Sequence, residues 1–413
     1  MSQSQLRKDL EKKLGRPIKT KNDAIALETS IFEDTGLLVS YNTIRRFFGL
    51  VHGGQARESV LDIYAQYLGY KDYKSFEENK KRFDFYNQWT RITQKSSWSE
   101  EEINELVYQA LNEDRAAQGQ LLWVIARVFE EESISEWNRW FSVTAWDVEE
   151  DRFGHLLFIL DNLGLFIRKR IASAKDAEEL CSYPNLIHKV VLLFVDYSTL
   201  TDGYYKLVID ELRKHSEYEL FTSSLGGLQA LLEGDFAKAE HYYRITAAFP
   251  VDETNYPILN SRILGAQVFL DWHEHKRLQP KTYQKIITLV DLTPEHQYDL
   301  AVMEILPVAA ILGMTNEVLS IYKMYGDRDR ITSDWSIIVN LDLIKLSVMI
   351  AYARAELVDK TMELEAELNT DNWYLAYNTY LKALHAMSEK LIGRSRIKFE
   401  KEFDKFSGLN QLI

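Results

Sequence analysis

The sequence predicts an all-α protein: a small N-terminal domain of short helices, then a long body of paired helices. Three observations carry that expectation. Seven prolines and 18 glycines in 413 residues are few, and both are scarce where helix dominates, since proline removes a backbone donor and glycine adds unfolded-state entropy. Apolar residues recur three and four positions apart along most of the chain, the spacing that places them on one helical face. No alternating β-branched run bounded by turn residues, the mark of a strand, occurs.

The elements follow in order. Leu6, Leu10 and Leu14 form a helical stripe stopped by Gly15 and Pro17. Asp23 is the expected cap of a second helix carrying Ala24, Leu27, Ile31 and Phe32 and ending at Gly36. Ser40 caps a third, Tyr41–Phe48, with Ile44, Phe47 and Phe48 on one face and Gly49 at its end. Gly53 and Gly54 mark a loop. A fourth helix carries Val60, Leu61, Tyr64, Ala65 and Leu68 and stops at Gly69; Asp72 starts a fifth with Tyr73 and Phe76. These make a head over residues 1–80. Residues 81–98 read as a helical connector, where Phe83, Tyr86 and Trp89 are spaced to share a face. The body runs over 99–413. It opens on a capping box, Ser99 with Glu102, ahead of Ile103, Leu106, Val107 and Ala110. Leu121–Phe129 and Trp137–Trp146 are further helical stretches. Thr293-Pro294-Glu295 reads as a helix start, and Pro307 predicts a kink or break.

Charge separates the two parts. Residues 1–80 hold 13 Lys/Arg and 11 Asp/Glu, a net of +2, within a chain whose net charge is −13. The rest is therefore −15, and only the head offers a cationic surface to a polyanion. The apolar stretches near Val190–Val195 and Ile305–Met314 are far shorter than the roughly 20 residues that span a bilayer. No secretory leader is legible at the N-terminus. One cysteine, Cys181, excludes an internal disulfide framework. A cytoplasmic setting without membrane partners is expected.

Within the body, Leu225-Gly-Gly-Leu-Gln-Ala-Leu-Leu-Glu-Gly-Asp-Phe-Ala-Lys-Ala-Glu-His-Tyr-Tyr-Arg244 carries a repeat signal. Gly226, Gly227 and Ala230 let two helices approach, Gly234-Asp235 makes the turn, and Ala239 and Tyr243 lie one turn apart on the second helix. The segment resembles a tetratricopeptide repeat. Ala309–Tyr322 around Gly313 echoes it, as does Ala351–Ala355 with Leu364. Gly234 and Gly313 leave room for about two units, with a longer loop near His273–Lys281. The resemblance implies a superhelical stack whose concave face binds a peptide or protein segment. It puts Leu225–Leu232 on the inner helix, with Gln229 as a partner-binding residue, and Ala237–Ala247 on the outer one.

In the head, Ser30–Phe47 resembles a helix-turn-helix of the phage-repressor kind: Gly36, Val39, Ser40, Ile44 and Phe47 supply the order, and Arg57–Gly69 looks like the helix that follows. That likeness implies DNA binding. Ser40 and the first-turn N–H groups would hold a phosphate, while Tyr41, Asn42 and Arg45 would face base edges. Arg46 and the basic N-terminal residues, Lys19 among them, would add phosphate contacts. Leu37-Leu38 lengthens the turn, and Phe32 stands where the motif prefers a small residue. One short helix reads few base pairs, so a homodimer on paired half-sites would multiply the discrimination.

No catalytic pattern emerges. The nine histidines are scattered, and His273 and His275, two apart on a helix, point to opposite sides. No phosphate loop, Gly-x-Ser-x-Gly elbow or His-Glu-x-x-His is present. His52-Gly53-Gly54 reads as a turn, Asp327–Arg330 as a solvated loop and Cys181 as structural. The expectation is a non-enzymatic protein without cofactor or metal: a DNA-binding transcriptional regulator with a peptide- or protein-sensing body, as in bacterial regulators of that build. The alternative is an adaptor in which head and body both contact proteins.

Overall fold

The computed structural model describes residues 2–52, 56–77, 97–112, 115–147, 153–252, 255–294, 297–326 and 335–413. Among them every regular element is a helix, and no strand occurs. They divide into two compact units, 1–97 and 98–413.

The first unit holds α1 (Ser2–Leu14), α2 (Lys21–Thr35), α3 (Tyr41–Phe47) and α4 (Glu58–Tyr67), with a further helical turn over 73–77. Leu10, Leu27, Ile31, Ile44, Phe47, Leu61 and Tyr64 meet in one core. Two turns of α3 have little stability of their own. Ile44 and Phe47 anchor them, with the Phe47 ring 4.8 Å from that of Tyr64. Gly36 ends α2 in the left-handed conformation, φ 70°. Ser40 caps α3, its Oγ accepting from the Thr43 N–H at 3.3 Å.

Two details of α2 differ from the sequence reading. Its cap is Thr20, not Asp23: Thr20 Oγ1 accepts from the Asp23 N–H at 3.2 Å, and Asp23 Oδ2 accepts from the Thr20 N–H at 2.9 Å. An acid serves either role, and reciprocal bonding favours it three residues inside. The hydrogen bond from the Thr20 hydroxyl holds the Asp23 carboxyl below its ordinary pKa. Phe32 leaves the buried stripe and is 52% exposed.

The second unit begins with α5 (Glu100–Asn112), α6 (Arg115–Glu131) and α7 (Ile134–Phe141). The Ser99–Glu102 capping box forms as expected. Next come α8 (Phe153–Arg170), α9 (Ala174–Cys181) and, past an irregular stretch, α10 (Tyr204–Leu212). From there the chain is built of helical hairpins. These are α11 (Glu219–Glu233) with α12 (Phe236–Ala247), and α13 (Pro257–His275) with α14 (Pro280–Leu292). Then, after the short α15 (Tyr298–Val302), α16 (Ile305–Ile311) pairs with α17 (Thr315–Gly326), and α18 (Trp335–Arg354) with α19 (Val358–Ala366). Last come α20 (Leu375–Leu391), α21 (Glu400–Asp404) and α22 (Ser407–Asn410). The first helices, α11, α13, α16, α18 and α20, pack each on the next and form one row.

Each of these first helices is followed by a residue with positive φ: Gly234, Lys276, Gly313, Glu356 and Gly393. That conformation turns the chain into the second helix. The row is therefore regular in backbone even where its sequence is not.

The structure adjusts two expectations in this part. Thr293 ends α14, where its hydroxyl donates to the Leu289 carbonyl at 2.7 Å; the helix start expected at Thr293-Pro294-Glu295 lies partly outside the described residues. The loop expected over His273–Lys281 shrinks to 276–279, because α13 continues through His275. The break near Pro307 falls just ahead of it, between α15 and α16, so the proline sits in a first turn where its missing N–H costs nothing. Gly53, Gly54, Phe83, Tyr86, Trp89 and Asp327–Arg330 lie outside the described residues.

Candidate functional site

Of the five residues expected to face DNA at α3 and its cap, Ser40, Asn42 and Arg46 are exposed, and Tyr41 is half-buried. Arg45 is also half-buried; its Nη1 donates to Asn42 Oδ1 at 3.3 Å, which joins the two expected base readers on one face. The Lys21 ammonium lies 5.2 Å from the centre of the Tyr41 ring, so the start of α2 adjoins the start of α3. Exposed Lys19 belongs to that same corner. Three other head cations are engaged: Lys13 pairs with Asp34 at 2.8 Å, Arg16 approaches Asp23 at 3.6 Å, and the Arg7 guanidinium covers Phe47 at 5.0 Å. Lys21, Arg45 and Arg46 are thus cations on or beside α3.

Leu37 and Leu38, in the turn before α3, are 37% and 70% exposed. With Phe32 they add an apolar surface beside that face.

The expected concave face of the body is not open at its best-matched repeat. Every residue from Phe221 to Leu232 of α11 is buried. Gln229 is 0% exposed, so it cannot meet a ligand on a free surface. Arg213 Nη2 donates to its Oε1 at 3.1 Å, and its Nε2 donates to Glu233 Oε1 at 3.0 Å. The assignment of Gln229 to partner binding is corrected accordingly: α22 and α10 both pack on α11, in addition to its partner α12.

A second internal segment lies against the row. Asp196 receives two hydrogen bonds from Arg168 of α8, both 2.6 Å. Burial raises the Asp196 carboxyl's pKa, against the lowering pull of Arg168. Tyr197 donates to Glu304, which also accepts from Arg262 Nε of α13 at 3.0 Å. The Tyr197 ring stacks on Tyr380 of α20, centroids 5.8 Å apart. Ser198 Oγ accepts from the Thr379 N–H at 2.9 Å. A short, non-repetitive helical turn is thereby held by α8, α13 and α20 through charges and hydroxyls as well as by packing on α20. Sequence reasoning missed this group because Arg168, Tyr197, Arg262 and Glu304 are far apart in the chain and share no motif.

One more cluster was not foreseen. His385 and Glu389, one turn apart on α20, meet Glu365 of α19, and one ligand atom from each lies within 4.8 Å of the others. The spacing would suit a divalent ion. Arg394 already donates to Glu389 Oε1 at 2.7 Å and to Glu365 Oε1 at 2.8 Å, so a cation would have to displace a guanidinium from both carboxylates. The His385 imidazole is buried, which lowers its pKa despite Glu389 and Glu365. Its Nε2 is 3.2 Å from Glu365, and its Nδ1 faces Glu389 at 3.6 Å.

His273 and His275 diverge, as their spacing requires: His273 reaches Glu240 at 3.2 Å and His275 approaches Glu274 at 3.8 Å. Cys181 is buried, and burial pushes its thiol up to about 12, which leaves it protonated near neutral pH. No helix among the described residues is long and apolar enough to cross a membrane. No family model, curated protein or solved structure matches the chain.

Proposed function

We propose that the chain is a DNA-binding transcriptional regulator whose helical-repeat body, of tetratricopeptide-like build, binds a peptide or protein partner. The observation that carries the DNA half is the presentation of α3. Ile44 and Phe47 hold the helix down, while Asn42 and Arg45 lie side by side, Lys21 reaches Tyr41 in the same first turn, and Arg46 and Lys19 are exposed. Asn pairs with adenine and Arg with guanine in the major groove, and the flanking cations suit phosphates. The peptide half is supported by the way α13 and α20 of the first-helix row hold the 197–199 helical turn: Arg262 donates to the Tyr197 hydroxyl, Ser198 Oγ accepts from the Thr379 N–H and Tyr197 stacks on Tyr380, contacts of the kind that hold a peptide. A homodimer bound to paired half-sites belongs to the same proposal.

The test is binding of the purified full chain to genomic DNA fragments, scored by sequencing, at two salt concentrations. A regulator enriches a common sequence and loses affinity steeply with salt. Absence of any enriched sequence at low salt would discard the proposal. The second reading, an adaptor whose head contacts proteins, is favoured by the exposed Phe32, Leu37 and Leu38 beside α3.

A further inference from the structure

We infer that segment 399–412 is a built-in ligand of the first-helix row, and that the body's partner is a peptide with Phe-x-x-Phe-x-x-Leu spacing and a carboxylate beside its first Phe, which takes the segment's place. The inference rests on the reading of the body as a peptide binder and names the ligand's chemistry and how its site is controlled.

Phe403, Phe406 and Leu409 recur every third residue and are 0%, 1% and 0% exposed. Yet Phe403 and Leu409 stand on helices of only five and four residues, α21 and α22, and Phe406 lies between them. Single turns do not persist alone, so the segment's order comes from the surface it covers. α21 lies on α20, and α22 lies on α11. At the α11 end the fit is backbone against backbone. A Cβ on Gly408 would run into the Leu231 carbonyl oxygen and come within 2.6 Å of the Gly234 nitrogen. Ser407 Oγ donates to the Glu233 carbonyl at 2.8 Å. Arg354, at the end of α18, donates to the Leu412 carbonyl.

The charges give the ligand's second feature. On α20 the Lys390 ammonium sits 4.4 Å from the Phe403 ring centre and 3.8 Å from Glu400. Lys382 lies 5.2 Å from the Phe399 ring centre and 3.9 Å from Glu402. Two cations of the row thus meet aromatic rings and adjacent carboxylates. These partly solvated ion pairs, 3.8–3.9 Å long, are weak individually, so they select for charge, and the three apolar side chains supply the adhesion.

A tethered segment acts at an effective concentration of order millimolar, so it masks the site from a free peptide of equal affinity until released. The probe is a fluorescent synthetic peptide spanning residues 398–413, read by anisotropy against the full chain and its Gly408→Val variant. The variant's side chain meets backbone atoms that cannot yield, so the segment is displaced while the apolar surface of the row remains. The variant should bind the peptide about tenfold or more tighter than the parent chain. A peptide carrying Phe406→Ala should not bind. Hydrogen exchange on the parent chain is the second measurement, and amides of 400–412 should exchange about tenfold faster than those of α11 and α20.

No binding by a variant that keeps its helical circular dichroism overturns the inference. If the variant fails to fold, exchange decides: protection of 400–412 equal to α20 overturns it. A dimer that the peptide dissociates overturns it in favour of segments exchanged between copies. A peptide library panned on the parent chain and the variant separates this from the wider reading. Ligands lacking the spacing sink only the inference; no ligands for either chain sink both.

Discussion

Arg262 and Glu304 are charges removed from water, and each is tolerable because the other lies 3.0 Å away with the Tyr197 hydroxyl between α13 and the 196–199 segment. Removing one partner leaves the other buried and uncompensated, so Arg262→Met should cost about 3–5 kcal/mol, whereas Arg262→Met with Glu304→Leu should recover much of it. Urea unfolding of the three chains measures both effects; an innocuous single variant would contradict the geometry. His385 makes a pH prediction. Burial holds its pKa below the ordinary 6.5, so the unfolded chain takes up the proton first. The neutral ring's contribution is whole above about pH 6.5 and is lost as pH falls below it. His385→Gln should flatten the loss of stability between about pH 7 and pH 5, read as the change in urea midpoint with pH. On the regulator proposal, Arg45→Ala costs about 1–3 kcal/mol at its cognate base pair and relaxes specificity there. Lys19→Ala weakens all sequences alike and lowers the slope of affinity against salt.

The hairpins explain what the sequence made legible. Gly234 and Gly313 announce their turns, because glycine is the usual residue with positive φ. Lys276 and Glu356 hold the same conformation without glycine; the Glu356 hairpin shows in the sequence only as the Ala351–Ala355 echo, and the α13–α14 turn reads there as a longer loop. Glu356→Gly should relieve that strain and raise stability by about 0.5–1 kcal/mol, since a left-handed non-glycine residue costs roughly 1–2 kcal/mol and the added freedom of glycine when unfolded takes some back. At Gly265 the opposite holds. A Cβ there would come within 2.8 Å of the Glu304 carbonyl oxygen, so Gly265→Ala forces α13 and α16 apart and should cost about 1–3 kcal/mol by thermal unfolding. In the head, Ile44, Phe47, Gly36 and Ser40 were readable because caps and stripes are local. The burial of Gln229 was not, because α10 and α22 reach α11 from elsewhere in the chain.

At the scale of the molecule, two compact units with opposite net charges imply separable behaviour. Calorimetry of the full chain should resolve two transitions, and Ile44→Ala, which opens a cavity only in the head's core, should lower one of them. A single transition that shifts as a whole would mean the units unfold together. The lone cysteine then acquires a use that has nothing to do with chemistry in the cell. Cys181 is packed at the end of α9, beside α10, and the head contains no thiol. A thiol-reactive dye can therefore label the native chain only during moments when that corner of the body swings open, and its uptake rate is a stopwatch for those openings. The same vial, timed with and without a bound partner, tells whether the partner quiets the body, with no mutation and no tag.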